Sequence, residues 1–193
     1  MALEFDLDAP CGRYLTFRDL IECGETWHRA SGAGKPIHNE PVQRASLDAL
    51  LTLCEIVLDP VIDEFGAISL TYGLAGSQLS RRAATEVGGV APKLDQHAAH
   101  ELNRNNRRIC ERGGSAADFR VSGVSSLEVA RWIVSSTRFD RLYYYGSERP
   151  LHVSTTKSDP LGQIVVLRTK AAGRRVPLVV DAEDFLEMSD VER

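Results

Sequence analysis

The sequence predicts an α+β fold. Helical periodicity dominates as far as Gly66, short strand-like runs dominate the second half, and one amphipathic helix sits among those strands. Helices first and strands later, without strict alternation, is the pattern of an α+β domain. The 193 residues suffice for one domain with a sizeable core, and no repeat or low-complexity segment divides them.

Thr16 precedes FRDLIEC with Asp19 three residues on, a helix start with an acid at the positive end of the dipole. SGAGKPIHNEP then reads as a loop. A long helix is expected from Pro41, a favoured first helical residue. Its apolar stripe is Leu47, Leu50, Leu51, Cys54, Val57, Leu58, Val61, Ile62 and Phe65; Pro60 should interrupt it and Gly66 should close it. AISLTY (67–72) reads as a strand, and GSQLSRRAATEVGG as a short helix ending at Gly88–Gly89. Residues 91–114 are polar and carry His97, His100 and several arginines. AADFRV (116–121) is a second strand. Ser125 with Glu128 forms a capping box before the amphipathic LEVARWIVSS. RLYYYG and LHVSTT form a tight antiparallel pair, and GQIVVLRT and RVPLVVD two further strands. The acidic end is expected to be helical or frayed.

Composition excludes several classes. A net charge of −4 argues against binding long nucleic acid. No apolar run is long enough to span a membrane, and the N-terminus does not read as a signal peptide. Cys11, Cys23, Cys54 and Cys110 form no C-x-x-C pair and are expected as reduced thiols in a cytoplasmic protein, or one that is phage-encoded or released by lysis.

Three residues fit a zinc site: Asp118 and His152 on strands, and His97 in the polar loop before them. Catalytic zinc commonly takes three such ligands and keeps one position for water, whose pKa it lowers. A lone Asp in a strand pattern is itself a signal, because strands disfavour it.

Several segments carry a resemblance. IHNEP (37–41), LCEIVLDPVIDEFGAISLTYG (53–73), VGG (87–89) with QH (96–97), GSAADF (114–119) and LHVS (151–154) match, in order, motifs of the zinc D-Ala-D-Ala carboxypeptidase and endopeptidase family. That family shares its fold with the hedgehog signalling domain. The resemblance covers about Tyr14 to Ser154. It implies a hedgehog/DD-peptidase-like fold, an antiparallel sheet packed against helices, with residues 14–156 as the core of a single domain 1–193. Residues 157–193 would add a C-terminal hairpin and tail. It also implies zinc held by His97, Asp118 and His152, and a small peptide or peptidoglycan-derived substrate.

The chain departs from the family pattern in three places. His97 and Asp118 stand 21 positions apart, with HAAHELNRNNRRICER inserted, so His100 is a rival ligand. Asp95 replaces a serine two positions before His97. The arginine that polarises the scissile carbonyl is replaced by Ala75, a loss of about 3 kcal/mol of transition-state stabilisation unless another cation serves. Arg81 and Arg82, or Arg104, Arg107, Arg108 and Arg112 in the insert, are the replacements on offer, with a solvated basic face as the alternative. Glu148, four residues before His152, is the candidate general base, and Glu101 the substitute. Of the three consecutive tyrosines, Tyr143 and Tyr145 share one face and Tyr144 the other; Tyr144 is taken as a substrate contact.

The leading expectation is therefore a zinc-dependent peptidase acting through an activated water. The alternatives are a non-catalytic phage, structural or binding module that keeps the fold, and a hydrolase or binder of a small anionic ligand that uses the insert arginines.

Overall fold

A computed structural model describes residues 3–32, 37–85, 96–169 and 175–189. Its element order is α1 (Phe17–Ile21), α2 (Glu25–Gly32), α3 (Arg44–Leu53), a π-helical turn (Cys54–Leu58), α4 (Asp59–Phe65), β1 (Ile68–Tyr72) and α5 (Ser77–Thr85). A 3-10 turn (Gln96–Ala98) follows, then β2 (Ser115–Val121), α6 (Ser126–Ser136), β3 (Arg141–Tyr144), β4 (Leu151–Thr155), β5 (Gln163–Thr169), β6 (Arg175–Val180) and α7 (Ala182–Glu187). The fold is α+β, with a six-stranded sheet in the order β1-β2-β4-β3-β5-β6.

The sheet is mixed rather than antiparallel. β1–β2, β2–β4, β3–β4 and β5–β6 pair antiparallel, but β5 joins β3 in parallel. The chain leaves β4 and crosses β3 to reach its far edge, and that crossover sets the direction of β5. The expected C-terminal hairpin exists and extends the sheet. The VGG stretch, with the expected helix end at Gly88–Gly89, lies outside the described residues.

Local signals account for most elements. Thr16 caps α1 with the full reciprocal box to Asp19. Ser125 caps α6 by accepting from Leu127 N–H. The long helix begins at Arg44, not Pro41, and α2 occupies a stretch read partly as loop. Before Pro60 the helix widens: the Asp59 N–H bonds the Cys54 carbonyl, five residues back. Proline has no N–H and its ring would strike the carbonyl four residues behind it, and the wide turn absorbs that clash without ending the helix. Gly66, at φ 87°, then closes it.

The stripe Leu47, Leu50, Leu53, Cys54, Val57, Leu58 and Val61 is buried against Ala117, Phe119, Leu142 and Val153 of the sheet, while Leu51 is exposed. Each fully buried Leu or Val contributes about 2 kcal/mol of transfer free energy, so this face is what seats the helix on β2 and β4.

Candidate metal centre

Strand register places two of the expected ligands side by side. Asp118 on β2 pairs directly with His152 on β4, and Tyr143 on β3 pairs with His152 from the other side. His97 arrives from the 3-10 turn. Ligand atoms of His97, Asp118 and His152 all lie within 4.8 Å of one another, the one such group of His, Cys, Asp and Glu among the described residues. His152 Nδ1 is 2.7 Å from Asp118 Oδ1, His97 Nε2 is 3.2 Å from the same oxygen, and the two imidazole nitrogens are 3.2 Å apart. Tetrahedral zinc with bonds of 2.0–2.1 Å would separate its ligand atoms by about 3.3 Å.

The protonation pattern sharpens this. His97 Nδ1 is 2.9 Å from the Gly73 carbonyl oxygen, which only accepts, so Nδ1 carries the proton. In the neutral ring Nε2 then presents a lone pair to the carboxylate oxygen of Asp118 and to His152. His152 Nδ1 either donates to Asp118 Oδ1 or, with its proton on Nε2, turns a third lone pair to the same point, and in that second form the three atoms suit a cation. A ligating histidine whose other nitrogen donates to a backbone carbonyl is also the usual outer arrangement of a metal site. His152 Nε2, buried, finds no partner among the described residues.

Both histidine side chains are 3% exposed, whereas that of Asp118 keeps 26%, so the centre is approached from the carboxylate side. In the metal-free form, where a proton on His97 Nε2 replaces a cation, burial pushes the Asp118 carboxyl up, but the charge of His97 and the hydrogen bonds from His152 and His97 outweigh it and hold the group well below the usual carboxylate range. Tyr72 stands edge-on to His97 at 4.7 Å, and Tyr143 edge-on to His152 at 4.9 Å.

The residues flanking the ligands act as braces. Asn39 donates to the Ile21 and Leu74 carbonyls and accepts from Gly76 N–H, fixing the backbone that presents Gly73. Any side chain at Gly73 would put its Cβ 2.1 Å from the Leu20 carbonyl oxygen, so the close approach requires glycine. Ala75 N–H donates to the His97 carbonyl. Gln96 donates to the Gly113 and Thr155 carbonyls and accepts from Ser154 Oγ, locking the turn to β4.

The other expected site residues fall elsewhere. His100 is not a member of the cluster; its Nε2 accepts from Gly114 N–H. Tyr144 is fully buried, hydrogen-bonds Ser147 and packs on Phe185 in the core, so it is not a substrate contact. β3 alternation turns Tyr143 toward His152 instead. Glu101 is buried and accepts from Val42 N–H, Gln43 N–H and Ser46 Oγ, capping α3 across the fold. That use removes it as a base. Glu148 lies exposed in the turn between β3 and β4. Arg81 and Arg82 are exposed on α5, and Arg108 is exposed on the insert, where it lines a cavity apart from the cluster. Arg112 is committed to the buried Asp140. No family model, curated protein or solved structure matches the chain.

Proposed function

We propose that the chain is a zinc-dependent hydrolase of the D-Ala-D-Ala peptidase type, with a hedgehog/DD-peptidase-like core, acting on a cell-wall-related peptide amide. The observation that carries the reading is the convergence of His97 Nε2, His152 Nδ1 and Asp118 Oδ1 with the His97 proton turned away onto Gly73. Two imidazoles and one carboxylate suit zinc among the divalent ions. Zinc bound there supplies a Lewis acid for an amide carbonyl and brings a water's pKa toward neutrality.

The chain's own residues divide the remaining work. Gly73 fixes the tautomer of His97, and Asp118 balances charge and leaves the open side. Tyr72 and Tyr143 wall the two imidazoles and narrow the approach. Glu148, whose carboxylate no described residue holds and whose turn runs into the strand of His152, is the group assigned to move the proton. No helix of the described residues is long and apolar enough to cross a membrane.

A second reading is a metal-holding binding module without turnover. It is favoured by Ala75, which is 1% exposed where the family carries its cation. Metal analysis of wild type, Asp118→Ala and His152→Ala, alongside a D-Ala-D-Ala hydrolysis assay, separates the readings. The peptidase reading expects one zinc per chain, none in either variant, and hydrolysis by wild type. Zinc without hydrolysis selects the binding module. Equal metal content in all three proteins overturns both.

A further inference from the structure

A cavity of about 480 Å³ lies between α3, the insert that follows His97 and the chain leaving β4. That volume is in the range of small-molecule sites. Ala45, Ala49, Gly113 and Gly114 keep its walls low. A side chain at Gly113 would bring a Cβ to 3.2 Å from His100 Cε1 and 3.6 Å from Arg108 Nη2, crowding the groups that face the space.

The polar lining is asymmetric. Arg108 and Lys157 are both exposed, and neither has a carboxylate partner among the described residues. His100 completes the set. Its Nε2 accepts from Gly114 N–H at 3.2 Å, so the neutral ring carries its proton on Nδ1, and no described residue accepts it. Burial, with Arg108 and Lys157 nearby and Asp48 opposing, lowers the His100 pKa and keeps that neutral donor form. Arg112 also lines the cavity, but its guanidinium is taken by Asp140. Asp48, 3.6 Å from Arg44 and close enough to His100 to oppose its shift, and Glu111 also line the cavity.

Two full positive charges plus a neutral N–H match a phosphate dianion better than a carboxylate, which would leave one charge unmatched. The volume exceeds what a phosphate alone fills, and carboxylates beside it accept from hydroxyl groups. We infer that this cavity binds a small phosphate monoester, its phosphate on Arg108, Lys157 and the His100 Nδ1–H, its hydroxyl-bearing organic part toward Asp48 and Glu111. The site is independent of the metal reading.

The test titrates inorganic phosphate, adenosine 5′-monophosphate and adenosine into the full chain, read by amide NMR shifts. Saturable shifts are expected at Gly113, Gly114 and Lys157 with both phosphates and not with adenosine. Adenosine monophosphate should bind about tenfold tighter than phosphate, and Arg108→Glu and Lys157→Glu should each weaken both by about tenfold or more. Added salt should weaken binding further. Asp118→Ala, which removes a metal ligand, should leave it unchanged, so the two sites fail separately. Absent shifts, shifts centred on His97, Asp118 and His152, or affinities untouched by both charge reversals would overturn the proposal. Equal affinity for the two phosphates would overturn the placing of the organic part.

Discussion

The short stretch from Gln96 to His100 separates two regions built in opposite ways. On one side stand His97 and His152, nearly sealed from solvent, with Asp118 on the open side, each approached by a backbone carbonyl, a cross-strand partner or an aromatic edge. On the other stand Arg108 and Lys157, exposed at an open cavity. A buried polar group must be satisfied or it costs a few kcal/mol, so the first region is fixed before anything binds. The second pays no such penalty in water and takes its geometry from its ligand. The difference explains why Asn39 and Gln96 fix the backbone around the first site, whereas no described residue holds the charged ends of Arg108 and Lys157 in an ion pair.

The comparison can be broken most drastically at Gly114, where both regions begin. It sits at φ 96°, and a Cβ there would lie 1.7 Å from the Thr155 carbonyl oxygen. Gly114→Ala should cost about 4 kcal/mol or more, in the tail of single-mutant effects, by chemical denaturation. Next is the ion pair that anchors the insert. Asp140 is fully buried and Arg112 holds it at 2.8 Å through Nε. Arg112→Met should cost about 3 kcal/mol by leaving an unpaired buried charge. Burial pushes the Asp140 carboxyl up, but Arg112 and the Leu161 N–H more than offset this, and its pKa lies below the ordinary value. Its contribution to stability is thus complete above the unfolded value of about 3.9 and lost as pH falls through the lower folded value. Thermal melts from pH 2 to 6 should show that acid limb in wild type and lose it in Arg112→Met.

A smaller effect is expected at Glu101. Glu101→Gln keeps the size but turns an amide toward the donors at the start of α3, costing about 1–2 kcal/mol in the same denaturation experiment. The smallest lies at Glu148. Glu148→Ala should change stability by less than about 0.5 kcal/mol, keep the metal and remove turnover; unchanged turnover would move the base elsewhere.

What the sequence disclosed followed the range of each signal. The Thr16 cap, the stop at Gly66 and the alternation in β3 are written within a few residues, and the structure carries them. The three clustered residues were legible chiefly because QH, GSAADF and LHVS resemble the motifs of one family, with the strand-disfavoured aspartate as a lesser signal. Pairing partners were not legible. Nothing in GQIVVLRT specifies that it lies parallel to β3, since direction depends on the path taken after β4. Tyr144 was misplaced because alternation assigns faces but not which face is the core. Glu101 was taken for chemistry because its partners at Val42, Gln43 and Ser46 are more than fifty residues away in the chain.

The strand order has a kinetic consequence. β5 and β6 are joined by a short connection, while pairing β1 with β2 joins Ile68 to Val121 and pairing β2 with β4 joins Asp118 to His152. Closing the longer spans costs more chain entropy before any contact repays it, so refolding should start at the C-terminal hairpin and reach β2 late. The two imidazoles and the carboxylate then meet only in the final stage of collapse, and a newly made chain would be unable to grip a cation until nearly all of its sheet is in place.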